Sequence, residues 1–139
     1  MLFPAAAVLV FTAPAGAKLA QARAAGLGVP QGAWHQVGEL VGSGTVGGDS
    51  FGGSVALSGG TALAGAPGHA GGTGEAYVFQ EGSEGWHQVA ELVGSGTAAG
   101  DNFGGPVAVS GGTAVVGAPG ALRAYVFRLE AGAPTASTS

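Results

Sequence analysis

Trp34-His35-Gln36-Val37 returns 52 residues later as Trp86-His87-Gln88-Val89, and the likeness continues well beyond those four residues. Laid without a gap over 86–120, residues 34–68 agree at 27 of 35 positions; four residues are then lost before Tyr77-Val78-Phe79 meets Tyr125-Val126-Phe127. A tandem repeat of this length marks a solenoid, propeller or array, where one unit cannot bury its apolar faces alone and stacks them on its neighbour. Any fold for this chain must be one that two like parts can make. At 139 residues there is room for one small domain of that kind.

Inside each unit the pattern reads as short strands. Ser58-Gly59-Gly60-Thr61 separates two apolar runs, and Gly-Gly as a two-residue loop predicts a type I′ hairpin, in which both glycines take positive φ. That turn sets a register: Leu57 opposite Ala62, Val55 opposite Ala64, and Ala56 opposite Leu63 on the other face. In the second unit Val109 meets Ala114, Val107 meets Val116, and Ala108 meets Val115. Both faces of each hairpin are apolar, so both must be covered, as in a sheet stacked between two others. The 30 glycines and 28 alanines suit such close stacking. The remaining strands are predicted at 34–41 with its copy 86–93, and at 75–80 with its copy 123–128; Pro67 and Pro119 end the third strand of each unit. Four strands in a unit of about 50 residues is the layout of a propeller blade.

These residues carry a family resemblance. Phe51-Gly52 followed by Gly65-Ala66-Pro67, and Phe103-Gly104 followed by Gly117-Ala118-Pro119, resemble the FG-GAP repeat, the blade of the integrin alpha-subunit β-propeller and of many secreted and surface microbial proteins. The resemblance spans Trp34 to Phe127 and implies an all-β protein: two four-stranded antiparallel blades of an incomplete propeller behind an Ala-rich leader. The implied layout is a leader at 1–30, a first blade at 31–85, a second at 86–129 and a disordered tail at 130–139. Integrin-type blades resemble one another in carrying a calcium loop of several carboxylates between FG and GAP. Here that place holds Ser58-Gly59-Gly60-Thr61 and Ser110-Gly111-Gly112-Thr113, with no carboxylate for a cation that wants six or more oxygens, so no calcium and no other cofactor is expected. Family propellers close with about seven blades, so a two-blade chain is expected to be a piece of a longer propeller, to associate with copies of itself, or to remain an open and poorly stable pair.

Before Lys18 the chain is uncharged, and Ala15-Gly16-Ala17 follows an apolar run. That reads either as a secretory signal cut before Lys18 or as the remnant of an upstream repeat, since Val8-Leu9-Val10-Phe11 is like the later Tyr-Val-Phe strands. Pro4, Pro14 and Gly16 break the run, and 17 uncharged residues fall short of the roughly 20 apolar residues of a membrane-spanning helix. Four basic against eight acidic residues, net charge −4, leave no cationic surface for nucleic acid. With no cysteine there is no disulfide, thiolate metal site or thiol nucleophile.

Catalytic motifs are weak. Gly42-Ser43-Gly44-Thr45-Val46-Gly47 matches the dinucleotide fingerprint, but no helix pattern follows and Ala99 replaces the last glycine in the copy. His35 and His87 each precede a glutamate, Glu39 and Glu91, by four residues, a spacing that separates the side chains by about 13 Å along a strand. Ser54, His69 and Asp49 are the makings of a hydrolytic triad, yet Ser54 is Pro106 in the copy and His69, which has no copy, reads most simply as a solvated loop residue. Asp49 and Asp101, each two residues before Phe-Gly, are expected to bind backbone N–H groups and fix a turn. Trp34, Trp86, Phe51, Phe103, Tyr77 and Tyr125 are expected to wedge between blades. The resemblance then implies a non-enzymatic module, secreted or at the cell surface, that binds a protein or carbohydrate ligand; the alternatives are a purely structural piece of a longer propeller and part of a hydrolase that carries FG-GAP repeats.

Overall fold

The hairpin register read from the glycine pairs is the one the chain adopts. In the computed structural model, which describes residues 32–130, Leu57 pairs with Ala62, Val55 with Ala64 and Ala56 with Leu63; Val109–Ala114, Val107–Val116 and Ala108–Val115 repeat the pattern. The expected leader, with its signal or remnant strand, and all of the tail except Glu130 lie outside the described residues. By compactness the chain divides after Glu39, and every strand described belongs to the second unit.

Seven strands are described: β1 (Ser54–Ser58), β2 (Thr61–Ala66), β3 (Glu75–Gly82), β4 (Gly85–Leu92), β5 (Val107–Ser110), β6 (Thr113–Ala118) and β7 (Arg123–Arg128). They form two antiparallel sheets in sequence order, β1-β2-β3-β4 and β5-β6-β7, two open blades of an incomplete propeller with no closed barrel.

Two expectations need correction. The turns are not type I′: Gly59 and Gly111 have φ of +58° and +57°, whereas Gly60 and Gly112 stay out of the left-handed region. A positive φ on the first glycine alone is the signature of type II′, the other two-residue turn whose twist suits a hairpin. The second correction concerns where one sheet ends. Residues 86–93, expected to open the second blade, run as β4 and close the first, pairing with β3 through a tight turn at Ser83-Glu84. Consecutive strands pair when a short loop allows it, and this hairpin crosses the sequence repeat. The sister segment 34–41 forms no strand; among the described residues no strand precedes it to supply an edge. Each sheet therefore begins just after FG, and among the described residues the second has three strands rather than four, with β7 at its outer edge.

Stacking explains why so many residues are small. Of the ten buried apolar residues among those described, five are alanine: Ala62, Ala64, Ala66, Ala76 and Ala118. On one face of the first sheet Ala62, Ala64, Ala66, Tyr77 and Phe79 cluster with Leu40, Phe51 and Trp86. The other face, with Leu63, Ala76, Val78 and Leu92, packs onto Phe103, Val116, Ala118, Tyr125 and Phe127 of the second repeat. Backbones come so close there that a methyl group on Gly65 would overlap the carbonyl of Gly104. The inner strands are also joined by hydrogen bonds: the Ser54 and Ser58 hydroxyls accept from the backbone N–H groups of Val107 and Gly111, both at 3.0 Å.

Candidate functional site

The FG-GAP residues make one repeated device. The N–H of Gly52 donates to the carbonyl of Gly65, and that of Gly104 to Gly117, each at 2.9 Å, so FG is pinned to GAP within its own repeat. Phe51 meets Tyr77 and Phe79 edge-on with ring centres 5.6 and 6.2 Å apart; Phe103 meets Tyr125 and Phe127 at 5.5 and 6.0 Å. Only Phe103 lies between two sheets and is fully buried, while Phe51 stays half-buried. Ala66 and Ala118 are sealed in the core, and Pro67 and Pro119 follow them at the ends of β2 and β6. The tryptophans part ways. Trp86 packs half-buried against the first sheet, whereas Trp34 is 98% exposed and wedges nothing.

Asp49 and Asp101 fix turns. The Asp49 carboxylate accepts from the Val46 N–H at 3.0 Å while its own N–H donates back to the Val46 carbonyl; Asp101 does the same with Ala98 at 2.8 Å. Their carbonyls accept from Gly68 and Gly120, tying each turn to the GAP segment of its repeat.

Asp49 also holds His69, which is not a solvated loop residue. The Nδ1 of His69 is 2.9 Å from Asp49 Oδ2 and its Nε2 is 3.4 Å from Glu75 Oε1, which in turn accepts from the hydroxyl of the buried Tyr77 at 2.6 Å. The hydrogen bond from His69, then that from Val46, holds the Asp49 carboxyl below its ordinary range. The hydrogen bond to Asp49 raises the His69 pKa against the opposing effect of partial burial, and the charges of Glu75, Asp49 and Glu91 add to it. Burial, and next the hydrogen bond to Glu75, push the Tyr77 phenol well above its usual range. With Asp49 2.9 Å from one ring nitrogen and Glu75 3.4 Å from the other, the imidazole is a clasp between two carboxylates, an arrangement that favours its protonated form. The Ser54–His69–Asp49 triad is not assembled, because the Ser54 hydroxyl faces Val107 of the second sheet.

The clasp occurs once, since Ala121 and Arg123 stand where the first repeat has His69 and Glu75. It escaped the sequence reading, although a signal was present: the single gap between the repeats falls between His69 and Glu75, so this loop has no counterpart of its own length. Asn102 escaped as well. Its side chain donates to the Pro67 carbonyl at 3.2 Å and its N–H to Gly72 at 2.6 Å, while the Phe103 N–H donates to Thr73 at 3.1 Å. FG of the first repeat is thereby bonded to its GAP loop, that loop to FG of the second repeat, and that in turn to the second GAP turn. The result is one continuous loop edge at one end of the two sheets. On it Val46 and Leu122 stand 69% and 92% exposed, and Leu122 holds a left-handed φ of +55° that is rare for leucine.

Among the described residues no helix is long and apolar enough to cross a membrane, and no group of three or more His, Asp or Glu side chains is placed to hold a metal ion. A comparison with curated proteins gives no match. The family model of the FG-GAP repeat matches residues 34–79 and 86–127, the two stretches that carry these loops and strands. The chain belongs to the FG-GAP repeat family.

Proposed function

We propose that the chain is a non-catalytic binding module that presents its loop edge to a protein or carbohydrate ligand outside the cell or at its surface, where FG-GAP repeats typically occur. The observation that carries this reading is the bonding of four loop segments into a single edge that leaves Val46 and Leu122 exposed. A loop edge held rigid in advance loses little conformational entropy on binding, and loops on a rigid scaffold are where binding residues concentrate. A large apolar side chain that is both exposed and conformationally strained is more readily explained by contact with a ligand than by stability. The test is a glycan and protein array probed with the whole chain, alongside Leu122→Asp and Val46→Asp variants. The reading expects a ligand retained by a Glu84→Gln control at the opposite end and lost by the two loop variants. A ligand whose binding ignores both loop substitutions overturns it.

A second reading, a structural section of a longer propeller, draws on the uncovered outer face of the second sheet, where Val115 and Val126 are 38% and 65% exposed. It expects no ligand on the array, and gain of stability when further blades are supplied in the same chain.

A further inference from the structure

Loop 67–74, between β2 and β3, bonds the first repeat to the second at the loop edge. Its far end lies on the second FG segment: Gly72 and Thr73 offer their carbonyls to the N–H groups of Asn102 and Phe103 at 2.6 and 3.1 Å, and Gly74 bridges to Phe103. The contact is so close that a methyl group on Gly74 would overlap the Phe103 carbonyl. At its near end the Gly68 N–H donates to the Asp49 carbonyl at 2.9 Å, and the His69 ring sits between Asp49 and Glu75. Between the two ends the sequence does little to hold the backbone. Ala70, Gly71 and Gly72 have positive φ of +52°, +71° and +91°, a conformation that alanine resists and that glycine is as free to leave as to adopt. The loop is therefore a glycine-rich strap pinned at both ends, and the side chain that pins it is ionisable. We propose that this strap is a pH-sensitive latch: the charged imidazole of His69 holds it shut, and loss of its proton loosens the seam between the repeats.

The groups around the ring are Asp49 from the loop before β1, Glu75 from β3 with the Tyr77 hydroxyl behind it, and Glu91 from β4, whose charge also reaches the imidazole. His69 is the member of this cluster whose charge changes near neutral pH. In its charged form both ring nitrogens carry a hydrogen, one for Asp49 at 2.9 Å and one directed at Glu75 at 3.4 Å. The neutral ring carries a single hydrogen, so one of the two carboxylates then meets a lone pair. Each carboxylate has a second partner to fall back on. Glu75 accepts from the Tyr77 hydroxyl at 2.6 Å and Asp49 from the Val46 N–H at 3.0 Å, so both stay bonded when the ring is let go. The hydrogen bond to Asp49 raises the pKa of His69 against the opposing effect of partial burial, with the charges of Glu75, Asp49 and Glu91 adding to it. The latch is accordingly closed below the unfolded value of 6.5 and released as pH rises through the higher folded one. The second repeat, with Ala121 and Arg123 at the corresponding positions, has no such latch.

The latch stands whether or not the loop edge binds a ligand, and its test reads the seam itself. Amide hydrogen exchange of the whole chain is followed by NMR from about pH 5.5 to about pH 8.5, a range that brackets histidine, with rates corrected for the pH dependence of free amides. The Asn102 and Phe103 amides, which donate to the strap, should lose about threefold to fivefold in protection as pH rises, the size expected of a partly exposed ion pair. Their exchange should also be faster than that of β2 amides bonded to β3 and indifferent to low urea, the marks of a local opening. His69→Gln, which can donate to Asp49 without titrating, should give a flat profile. Glu75→Gln is the sharper variant. Its amide N–H can donate to the neutral ring while its carbonyl still accepts from Tyr77, so the strap should stay closed across the range. Seam amides equally protected at every pH, or a profile like that of the wild type in either variant, would overturn the proposal. So would urea-dependent exchange at the β2 rate, because the seam would then open only with the whole chain.

Discussion

Phe51 and Phe103 occupy the same place in two nearly identical repeats, yet the structure assigns them different energetic weights. Each ring makes two edge-on aromatic contacts at nearly the same distances, so that part is matched. The difference is what lies behind the ring: Phe103 is 0% exposed, closed in by Leu63 and Ala76 of the first sheet as well as Val116 and Ala118 of its own, while Phe51 caps an outer cluster and remains half-buried. Truncating a fully buried phenylalanine costs about 3–5 kcal/mol, transfer and cavity together. Half-burial removes a large part of both contributions, leaving about 2 kcal/mol for Phe51→Ala. Domains of this size are stable by about 5–15 kcal/mol and have urea m-values of about 1–3 kcal/mol/M. Phe103→Ala should therefore lower the urea midpoint by about 2 M and Phe51→Ala by about half as much, read by circular dichroism and tryptophan fluorescence together. Equal costs, or a larger cost at Phe51, would refute the stacking of the second FG segment between the two sheets.

Three further outcomes follow from the geometry. His69 has a raised pKa, so its clasp contributes fully below the unfolded value of 6.5 and is lost as pH rises through the folded one; Asp49 has a lowered pKa, so its share is present above 3.8 and lost as pH falls through the folded one. The melting temperature of the wild type should accordingly fall above pH 6.5 by more than that of His69→Ala, and matched profiles would show that the clasp contributes nothing. Because only the first glycine of the β1–β2 turn has positive φ, Gly59→Ala should cost more than about 1 kcal/mol and Gly60→Ala close to nothing in thermal melts, whereas a type I′ turn would make both costly. Calcium titrated calorimetrically into the chain should give no submillimolar binding at the two tight turns, which hold no carboxylate; heat that saturates and is lost on mutating Ser58 or Ser110 would contradict this.

The repeat was legible because duplication leaves a record independent of physics, and the hairpin registers because glycine pairs constrain a two-residue turn. The turn type was not, since Gly-Gly satisfies I′ and II′ equally and only the backbone decides. Sheet boundaries were hidden for another reason: Trp34 and Trp86 open nearly identical sequence, but pairing depends on what edge is near, and only Trp86 follows directly on β3. Asp49 and Asp101 showed their role in their own neighbourhood, as acceptors two residues before Phe-Gly. His69 could not, because Glu75 and Asp49 reach it through a loop that exists in one repeat alone. Asn102 likewise reads as a loop residue until the first repeat's Pro67 carbonyl is beside it.

Two almost identical segments in different states are the centre of this account, and amide hydrogen exchange compares them within one molecule. The sheet-facing amides of 86–92 should be protected by their bonds to β3, and more strongly than the corresponding amides of 34–40, which lie in no strand. Equal protection of the two segments, or none in either, would contradict the assignment of one as a seated strand and the other as a segment outside any strand.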